Sequence, residues 1–383
     1  MEKKMRVLSI FGTRPEAVKM APVVQALARE PGIESKVCVT AQHREMLDQV
    51  LDLFNIKPDI DLNLMKPKQS LTRLTSQILD HLEPVLRDEH PDWVLVQGDT
   101  TTVMAAALSS FYQGIHVGHV EAGLRTGDKR QPFPEEINRR MAGVIADLHF
   151  APTERARRNL LAEGVEEWRI KLTGNPVIDA LNQISEMPVP EEVDQWIKTW
   201  GLTTGGKRLV LVTAHRRENQ GEPIEQICTA LRELAEKYAG RINIVYPVHL
   251  NPSIQEPVHR LLDGVPGIML LPPLEYLSLV HLEKQAAIVL TDSGGIQEEA
   301  PAFGKPTLVL REKTERPEGV AAGVLRLVGT DPRRIVAEAS RLLDDPVAYN
   351  EMAHAANPFG DGHAAERIVK ALLEYAEPVS DTF

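Results

Sequence analysis

The first half of the chain alternates short apolar runs with longer amphipathic segments. The runs are RVLSIFG (6–12), SKVCVTA (35–41), DWVLVQG (92–98), IHVGHV (115–120) and ADLHFAP (146–152). Apolar runs of this length are typical of buried strands, and the intervening segments, such as PEAVKMAPVVQALARE, are typical of amphipathic helices. This alternation predicts a parallel sheet covered by helices.

The same pattern starts again in the second half. Its runs are RLVLVTA (208–214), INIVYPV (242–248), GIMLLPP (267–273), AAIVLTD (286–292) and PTLVLR (306–311). The segment between the two series has prolines at 176, 188 and 190 and no strand pattern, which indicates a hinge near residues 175–190. We therefore predict an α/β fold of two doubly wound, Rossmann-like domains, residues 1–175 and 176–360.

Ligands of open α/β sheets bind beyond the carboxyl ends of the strands. Two such domains facing each other would direct their strand-end loops into one cleft. In the first domain, Arg14 and Lys19 follow the first strand at a helix start that Gly12 and Thr13 introduce, and such a start can accept an anion. The alternative is a capped helix with surface cations.

Carboxylates follow the next strands of the first domain. Asp99 and Glu121 each come just after a strand, and Glu135 or Glu136 follows in PFPEEINRR. Asp99 could simply be a helix N-cap, and the glutamates could be carboxylates favoured by a helix dipole. Three acids at consecutive strand ends nevertheless favour acid/base chemistry.

The strand ends of the second domain carry cations and glycines. His215 stands beside Arg216 and Arg217 after one strand, a set suited to phosphate contact or proton transfer, or to a plain surface loop. In LTDSGGIQEEAP, residues 293–295 (Ser-Gly-Gly) open a helix whose free amides can cradle a phosphate. Glu299 lies four residues further on, within reach of a ribose diol. Neither an NTPase phosphate loop nor a dinucleotide fingerprint is present.

Composition narrows the class of protein. The 383 residues carry a formal net charge of −11, so no overall basic field attracts nucleic acid or a membrane surface. The two cysteines, Cys38 and Cys228, lie in apolar stretches and are predicted to be buried. Their number excludes a disulfide framework. The histidines lack cysteine partners, so no metal site is expected. With no signal peptide and no long apolar run, we predict a cytoplasmic protein.

Several long motifs, in order, resemble the bacterial non-hydrolysing UDP-N-acetylglucosamine 2-epimerases. They are FGTRPEAVKMAPV, TAQHREMLDQVL, QGDTTTVMAAAL, HVEAGLRTG, PFPEEINRR, VTAHRRENQGEP, YPVHLNP, DSGGIQEEAP and TERPEGV, and the similarity continues through NPFGDGHAAERIV. The resemblance implies a glycosyltransferase-B type fold, with a last helix at about 361–380 packing back on the first domain, and a homodimer. It also implies interconversion of UDP-GlcNAc and UDP-ManNAc, for cell-surface polysaccharide, by anti elimination of UDP to a 2-acetamidoglucal and re-addition. No NAD or metal cofactor is required.

The resemblance also implies roles for particular residues. Asp99, Glu121, Glu135 and His215 match the family's catalytic positions. The expected substrate-binding residues are Arg14, Lys19, Leu279, Ser293, Gly294, Gly295, Glu299 and Arg316. Leu279 stands where the family often has a phenylalanine at the uracil, so we expect backbone contacts to the base rather than ring stacking there.

Bacterial members can bind a second UDP-GlcNAc as activator. The matching positions here are Gln42, Glu136, Arg216 and His249. Two others depart, since Glu45 replaces a common glutamine and Lys68 a common arginine. Lysine lacks the bidentate fork of arginine, so we expect weak activator binding.

Three other functions stay open on the sequence. A glycosyltransferase could use the same fold, because fold does not fix chemistry. A hydrolysing epimerase would release free ManNAc and UDP. A non-catalytic sugar-nucleotide sensor would need none of the strand-end acids.

Overall fold

The computed structural model of the chain describes residues 4–40, 44–64, 69–202 and 206–375. Contacts between Cα atoms divide the chain into two compact units, residues 1–180 with 359–383 and residues 181–358. Each unit contains one parallel sheet, with seven strands in the first and six in the second among the described residues. Both sheets are flanked by helices, as the sequence predicts.

The first unit begins with six strand–helix alternations. Its strands are β1 (Met5–Phe11), β2 (Ile33–Val39), β3 (Ile60–Asp61), β4 (Trp93–Gln97), β5 (His116–Val120), β6 (Leu148–Ala151) and β7 (Ile170–Leu172). Its helices are α1 (Arg14–Arg29), α2 (Arg44–Leu53), α3 (Leu71–Glu89), α4 (Thr101–Tyr112), α5 (Glu135–Ile145) and α6 (Glu154–Ala162). Helix α7 (Pro176–Glu186) starts in the first unit and ends in the second.

The second unit continues the alternation. Its strands are β8 (Arg208–Thr213), β9 (Ile242–Pro247), β10 (Ile268–Leu271), β11 (Ala286–Thr291), β12 (Thr307–Val309) and β13 (Leu325–Leu327). Its helices are α8 (Glu191–Trp200), α9 (Glu222–Lys237), α10 (Pro252–Leu262), α11 (Tyr276–Gln285), α12 (Gly294–Ala302), α13 (Pro317–Ala321), α14 (Pro332–Asp344) and α15 (Pro346–Ala353). The chain then returns to the first unit, where α16 (Ala364–Leu373) packs against α1.

The apolar runs of the sequence form the inner strands of both sheets. The short strands β3, β7 and β13 escaped prediction, because two or three residues show no periodicity. Alternate residues of β8 face opposite sides of the sheet: Val210 and Val212 join the core under α9, α10 and α14, while Leu209 and Leu211 join the core under α8, α11 and α12. The two cysteines, Cys38 and Cys228, are buried, as predicted. None of the described helices is both long and apolar enough to cross a membrane.

Strand order places the strand ends that matter next to each other. The first sheet runs β3-β2-β1-β4-β5-β6-β7 and the second runs β10-β9-β8-β11-β12-β13. In each sheet the chain winds outward in one direction and then starts again beside its first strand. This switch falls between β1 and β4 in the first sheet and between β8 and β11 in the second. A doubly wound sheet binds its ligand at such a switch.

Candidate active site

The loop after β1 is tied to the loop after β4. Thr13 caps α1, as expected, and Glu16 completes a capping box. The Glu16 carboxylate accepts hydrogen bonds from the backbone N–H groups of Gly12 (3.0 Å) and Thr13 (2.7 Å) and from the Thr100 hydroxyl (2.6 Å). Burial raises the pKa of the Glu16 carboxyl above its usual value, against the effect of these hydrogen bonds. The buried Glu16 carboxylate therefore fixes the turn at Gly12 and Thr13 that precedes Arg14.

Gly12 is needed for close approach rather than for an unusual turn. A Cβ added there would overlap the hydroxyl oxygen of Thr40 and lie 3.1 Å from that of Thr102. The backbone after β1 thus passes directly over the side chains of neighbouring elements. Arg14, the first residue of α1, is half-buried beside this turn.

Asp99 is not the N-cap of α4, because Thr100 takes that position and accepts a hydrogen bond from the N–H of Val103 at 3.3 Å. The Asp99 carboxylate instead forms an ion pair with Arg139 of α5. The Asn138 side chain donates to the Asp99 carbonyl at 3.0 Å. This removes the N-cap explanation of Asp99 and leaves a carboxylate, 28% exposed and paired with Arg139, at the switch between β1 and β4.

Glu121 follows β5 in a left-handed backbone conformation, with φ of 62°. Such a φ is uncommon for a residue with a side chain, and it persists only where the surrounding structure enforces it. Oε1 of Glu121 accepts hydrogen bonds from Lys19 Nζ at 2.6 Å and from Asn175 Nδ2 at 3.0 Å, and Oε2 accepts one from Gln97 Nε2. With 5% of its side chain exposed, Glu121 is an oriented, nearly buried carboxylate.

Helix α5 carries the remaining predicted site acids of the first unit, Glu135 and Glu136. Glu136 is fully buried and accepts hydrogen bonds from the backbone N–H groups of Thr126 and Gly127, at 3.1 and 3.3 Å, and from Arg139 at 3.3 Å. Glu135, the first residue of α5, is half-buried, and one of its carboxylate oxygens lies beneath the surface. Glu136 therefore anchors the preceding loop, and Glu135 is the acid of this pair that is available for chemistry.

Two buried histidines support the strands beneath the acids. His119 and His149 are register partners on β5 and β6. The Nε2 of His119 lies 2.7 Å from the Gly98 carbonyl oxygen, so this nitrogen donates. Burial lowers the pKa of His119 to about 4 and that of His149 to about 3. Both are neutral at physiological pH, and neither adds positive charge beside Glu121.

In the second unit, Asp292 organises the loop after β8. Its buried Oδ2 accepts hydrogen bonds from the N–H groups of His215 and Arg216, both at 2.8 Å, and from Asn219 Nδ2 at 2.9 Å. The His215 ring stacks on the His249 ring, with 5.5 Å between centroids. Burial lowers the pKa of His215, with Asp292 opposing this effect and His249 adding to it. A neutral, oriented imidazole can accept a proton or contact a phosphate.

The Ser-Gly-Gly segment opens α12 as the sequence predicts. Ser293 is the N-cap and makes no side-chain capping bond, so the first N–H groups of α12 are not covered by it. A Cβ added at Gly294 would lie 3.3 Å from Arg216 Nη2 and 3.5 Å from Arg316 Cζ. Two guanidinium groups therefore stand beside a helix start, an arrangement that suits a diphosphate.

Two acids of α12, Glu298 and Glu299, are buried, and Glu298 pairs with Arg316. Arg316 donates to Glu298 from Nε at 2.7 Å, and its Nη2 lies 2.6 Å from the same oxygen. Glu299 is buried in α12, and a Cβ added at Gly295 would lie 3.2 Å from Glu299 Oε1. Leu279 of α11 is half-buried and packs on the core shared with α12. Its apolar side chain therefore contributes to the core of the second unit.

The structure brings the predicted residues into two groups. In the first unit Lys19 pairs with Glu121, while Asp99 and Glu136 share Arg139. In the second unit the backbone N–H groups of His215 and Arg216 share the carboxylate of Asp292. Gln42 and Lys68 lie outside the described residues, as does the side chain of Glu45. The sequence alone missed four partners of the predicted residues. They are Gln97, Arg139 and Asn175 in the first unit and Glu298, which pairs with Arg316, in the second. Only strand order and helix packing bring them to the acids and arginines they hold.

The two doubly wound parallel sheets, with charged strand-end groups at each switch, define a glycosyltransferase-B type architecture. The profile of the family described as UDP-N-acetylglucosamine 2-epimerase matches residues 25–373. The chain is 55% identical to UDP-N-acetylglucosamine 2-epimerase of Salmonella typhimurium over 373 residues, covering 97% of this chain and 99% of that one. The chain therefore belongs to the UDP-N-acetylglucosamine 2-epimerase family.

Solved structures agree with this membership. The Neisseria meningitidis UDP-GlcNAc 2-epimerase bound to UDP-GlcNAc is 50% identical and superposes with a TM-score of 0.88, covering 97% of this chain and 100% of that one. The Methanocaldococcus jannaschii UDP-GlcNAc 2-epimerase, in complex with UDP-GlcNAc and UDP, is 35% identical with a TM-score of 0.77, covering 96% and 99%. The predicted family and fold are thus confirmed.

Proposed function

We propose that the protein interconverts UDP-GlcNAc and UDP-ManNAc without net hydrolysis, in the cytoplasm, and so supplies ManNAc units for cell-surface polysaccharide. The observation that carries the proposal is Glu121, a strained and nearly buried carboxylate oriented by Lys19, Gln97 and Asn175. A second carboxylate, Asp99, follows the adjacent strand β4. Removal and return of a weakly acidic proton requires such positioned acids and bases.

The proposed reaction has two balanced halves. A carboxylate of the first unit takes the C2 proton, the C2–H electrons form the C1=C2 double bond, and the C1–O bond breaks with its electrons leaving on UDP. In the second half, UDP oxygen attacks C1 and a proton returns to C2 from the opposite face. Asp99, Glu121 and Glu135 are the candidates for these transfers. Neither half transfers a hydride or an electron, so no redox cofactor is required.

The second unit supplies the groups for the leaving UDP. Arg216 and Arg316 stand beside the start of α12, where Ser293, Gly294 and Gly295 present backbone N–H groups. Cations and oriented amides stabilise the charge that develops on a departing diphosphate. Glu299 would bind the ribose hydroxyls, and His215 would contact a phosphate or transfer a proton.

The proposal includes a homodimer and a second UDP-GlcNAc as activator. Among the activator positions, Arg216 and His249 adjoin the helix start and His215. The Glu136 carboxylate already accepts hydrogen bonds from the backbone of Thr126 and Gly127 and from Arg139. This supports the expectation that the activator binds weakly.

The test is incubation with UDP-GlcNAc alone in heavy water, followed by NMR of the products. The proposal expects UDP-ManNAc that carries deuterium at C2, because the returned proton comes from a group that exchanges with solvent. Free ManNAc with stoichiometric UDP would identify a hydrolysing enzyme instead. Product that retains protium at C2 would contradict elimination, and transfer to an added acceptor sugar would indicate a glycosyltransferase.

A further inference from the structure

Asn175 lies just before α7, the helix through which the chain passes from the first unit to the second. It is buried, with 2% of its surface exposed, and it directly precedes α7. Its backbone N–H donates to the carbonyl of Phe359 at 2.8 Å, and its Oδ1 accepts from the N–H of Val177 at 3.2 Å. Its side-chain Nδ2 donates to Glu121 Oε1 at 3.0 Å. One side chain thus joins an acid of the site to the departing chain.

The segment that returns to the first unit is fastened to the same place. A Cβ at Gly360 would lie 3.3 Å from Asn175 N, and a Cβ at Gly174 would lie 3.2 Å from Gly360 Cα, so glycines allow the two passes to touch. Asp179 accepts hydrogen bonds from the N–H groups of Ala364 and Ala365, at 3.2 and 2.8 Å. Residues 173–179 and 359–365, which we term the crossover, therefore form one cross-linked element of the first unit.

Asn175 is a more rigidly placed donor to Glu121 than Lys19. Lys19 reaches Oε1 through a long side chain with four rotatable bonds, whereas the Asn175 amide is fixed at both its backbone and its Oδ1. The following Pro176 also restricts the backbone of Asn175 to extended conformations. A donor fixed at this many points defines where the Oε1 atom lies.

We propose that Asn175 is a positioning residue that couples the carboxylate of Glu121 to the crossover. A change in the crossover would then move or release the acid without any residue of the crossover touching the substrate. The inference rests on the proposed function, because it concerns the acid/base step of that reaction. Misplacing a reacting group by about 1 Å can cost about 100-fold in rate, so loss of this contact should slow turnover even though Lys19 and Gln97 still donate to Glu121.

Two variants test the inference. Asn175→Asp keeps the shape and the acceptor for Val177 but replaces the donor to Glu121 with an oxygen. Asn175→Ala removes the side chain. For both we expect kcat to fall about 10- to 100-fold with KM and UDP affinity nearly unchanged. In Asn175→Asp the acid limb of the kcat/KM profile should also move to higher pH, since two adjacent carboxylates resist joint ionisation.

Asn243→Ala is the matched control. Asn243 is a buried asparagine of the second unit whose Nδ2 donates to the Gly201 carbonyl at 3.0 Å, so the variant loses a buried hydrogen bond without touching an acid. It should lower the melting temperature but leave kcat unchanged. If both Asn175 variants turn over within twofold of wild type, or if Asn243→Ala loses as much kcat, the inference is wrong. Failure of the wild type to convert UDP-GlcNAc would instead overturn the proposed function.

Discussion

Lys19 Nζ lies 2.6 Å from Oε1 of Glu121, although 102 residues separate the two in the chain. Side-chain exposure is 16% for the lysine and 5% for the glutamate, so the pair is largely withdrawn from water. Lys19, Gln97 and Asn175 together fix the Glu121 carboxylate at the end of β5. The pair links the first helix to the strand end that carries the strained acid.

Lys19→Met tests this pair. Removing one partner of a largely buried ion pair leaves an uncompensated charge and costs about 3 kcal/mol, and we expect that loss in the free energy of unfolding measured with denaturant. Turnover of UDP-GlcNAc should fall as well. The control is a double-mutant cycle with Glu121→Gln: the double variant should be more stable than the sum of the single effects predicts. Additive losses would show that the two side chains do not interact.

Arg139→Lys separates the two acids that one guanidinium holds. Arg139 contacts Asp99 through Nη2 and Glu136 through Nη1, and a lysine has no fork with which to reach both. We expect a loss of about 1–3 kcal/mol in unfolding free energy, together with a fall in kcat. Arg157→Lys is the control, because the Arg157 guanidinium likewise contacts two acids, Glu154 and Glu167, but both of these acids are exposed; this variant should change neither quantity appreciably. Wild-type kcat in Arg139→Lys would remove the Asp99–Arg139 contact from the mechanism.

Glu299→Ala tests the nucleotide site. The variant leaves the ribose hydroxyls of bound UDP without a buried acceptor, which costs about 1–3 kcal/mol and corresponds to a 5- to 150-fold rise in Kd. Isothermal calorimetry with UDP measures it. Glu338→Ala, which removes an α14 carboxylate paired with Arg326 of β13, should bind UDP like the wild type. Equal affinity of both variants would place the ribose elsewhere.

The buried histidines predict a loss of stability on mild acidification. The pKa of His119 is lowered to about 4 and that of His149 to about 3, so only the unfolded chain takes up these protons below its usual histidine pKa of 6.5. The free energy of unfolding therefore decreases as the pH is lowered below 6.5. Between pH 7.5 and 5.5 each histidine contributes a loss of about 1.4 kcal/mol.

Denaturant unfolding at these two pH values measures the effect. His149→Leu should reduce the stability change between these pH values by about 1.4 kcal/mol, the contribution of one neutral imidazole. Comparing the variant with the wild type removes the contribution of other titrating groups. Identical pH dependence in the two proteins would contradict a neutral His149 in the folded state.

The sequence alone determined the repeated strand–helix pattern, the helix starts at Thr13 and Ser293, and the family. These features are encoded locally: the period of apolar residues, a capping side chain or a Gly-Gly pair acts within a few positions. The strand ends were predictable for the same reason. The acids and cations that follow them, such as Asp99 and His215, could therefore be selected without coordinates.

Only the tertiary structure decided which side chains meet. Asp99, which does not cap α4, pairs with Arg139 because α5 packs beside α4. That Asn175 reaches Glu121 depends on strand order and on the pairing of the crossover with Phe359. These contacts span tens of residues to more than a hundred, and no local period encodes them. They exist because the order and register of parallel strands bring distant strand ends to one edge of the sheet.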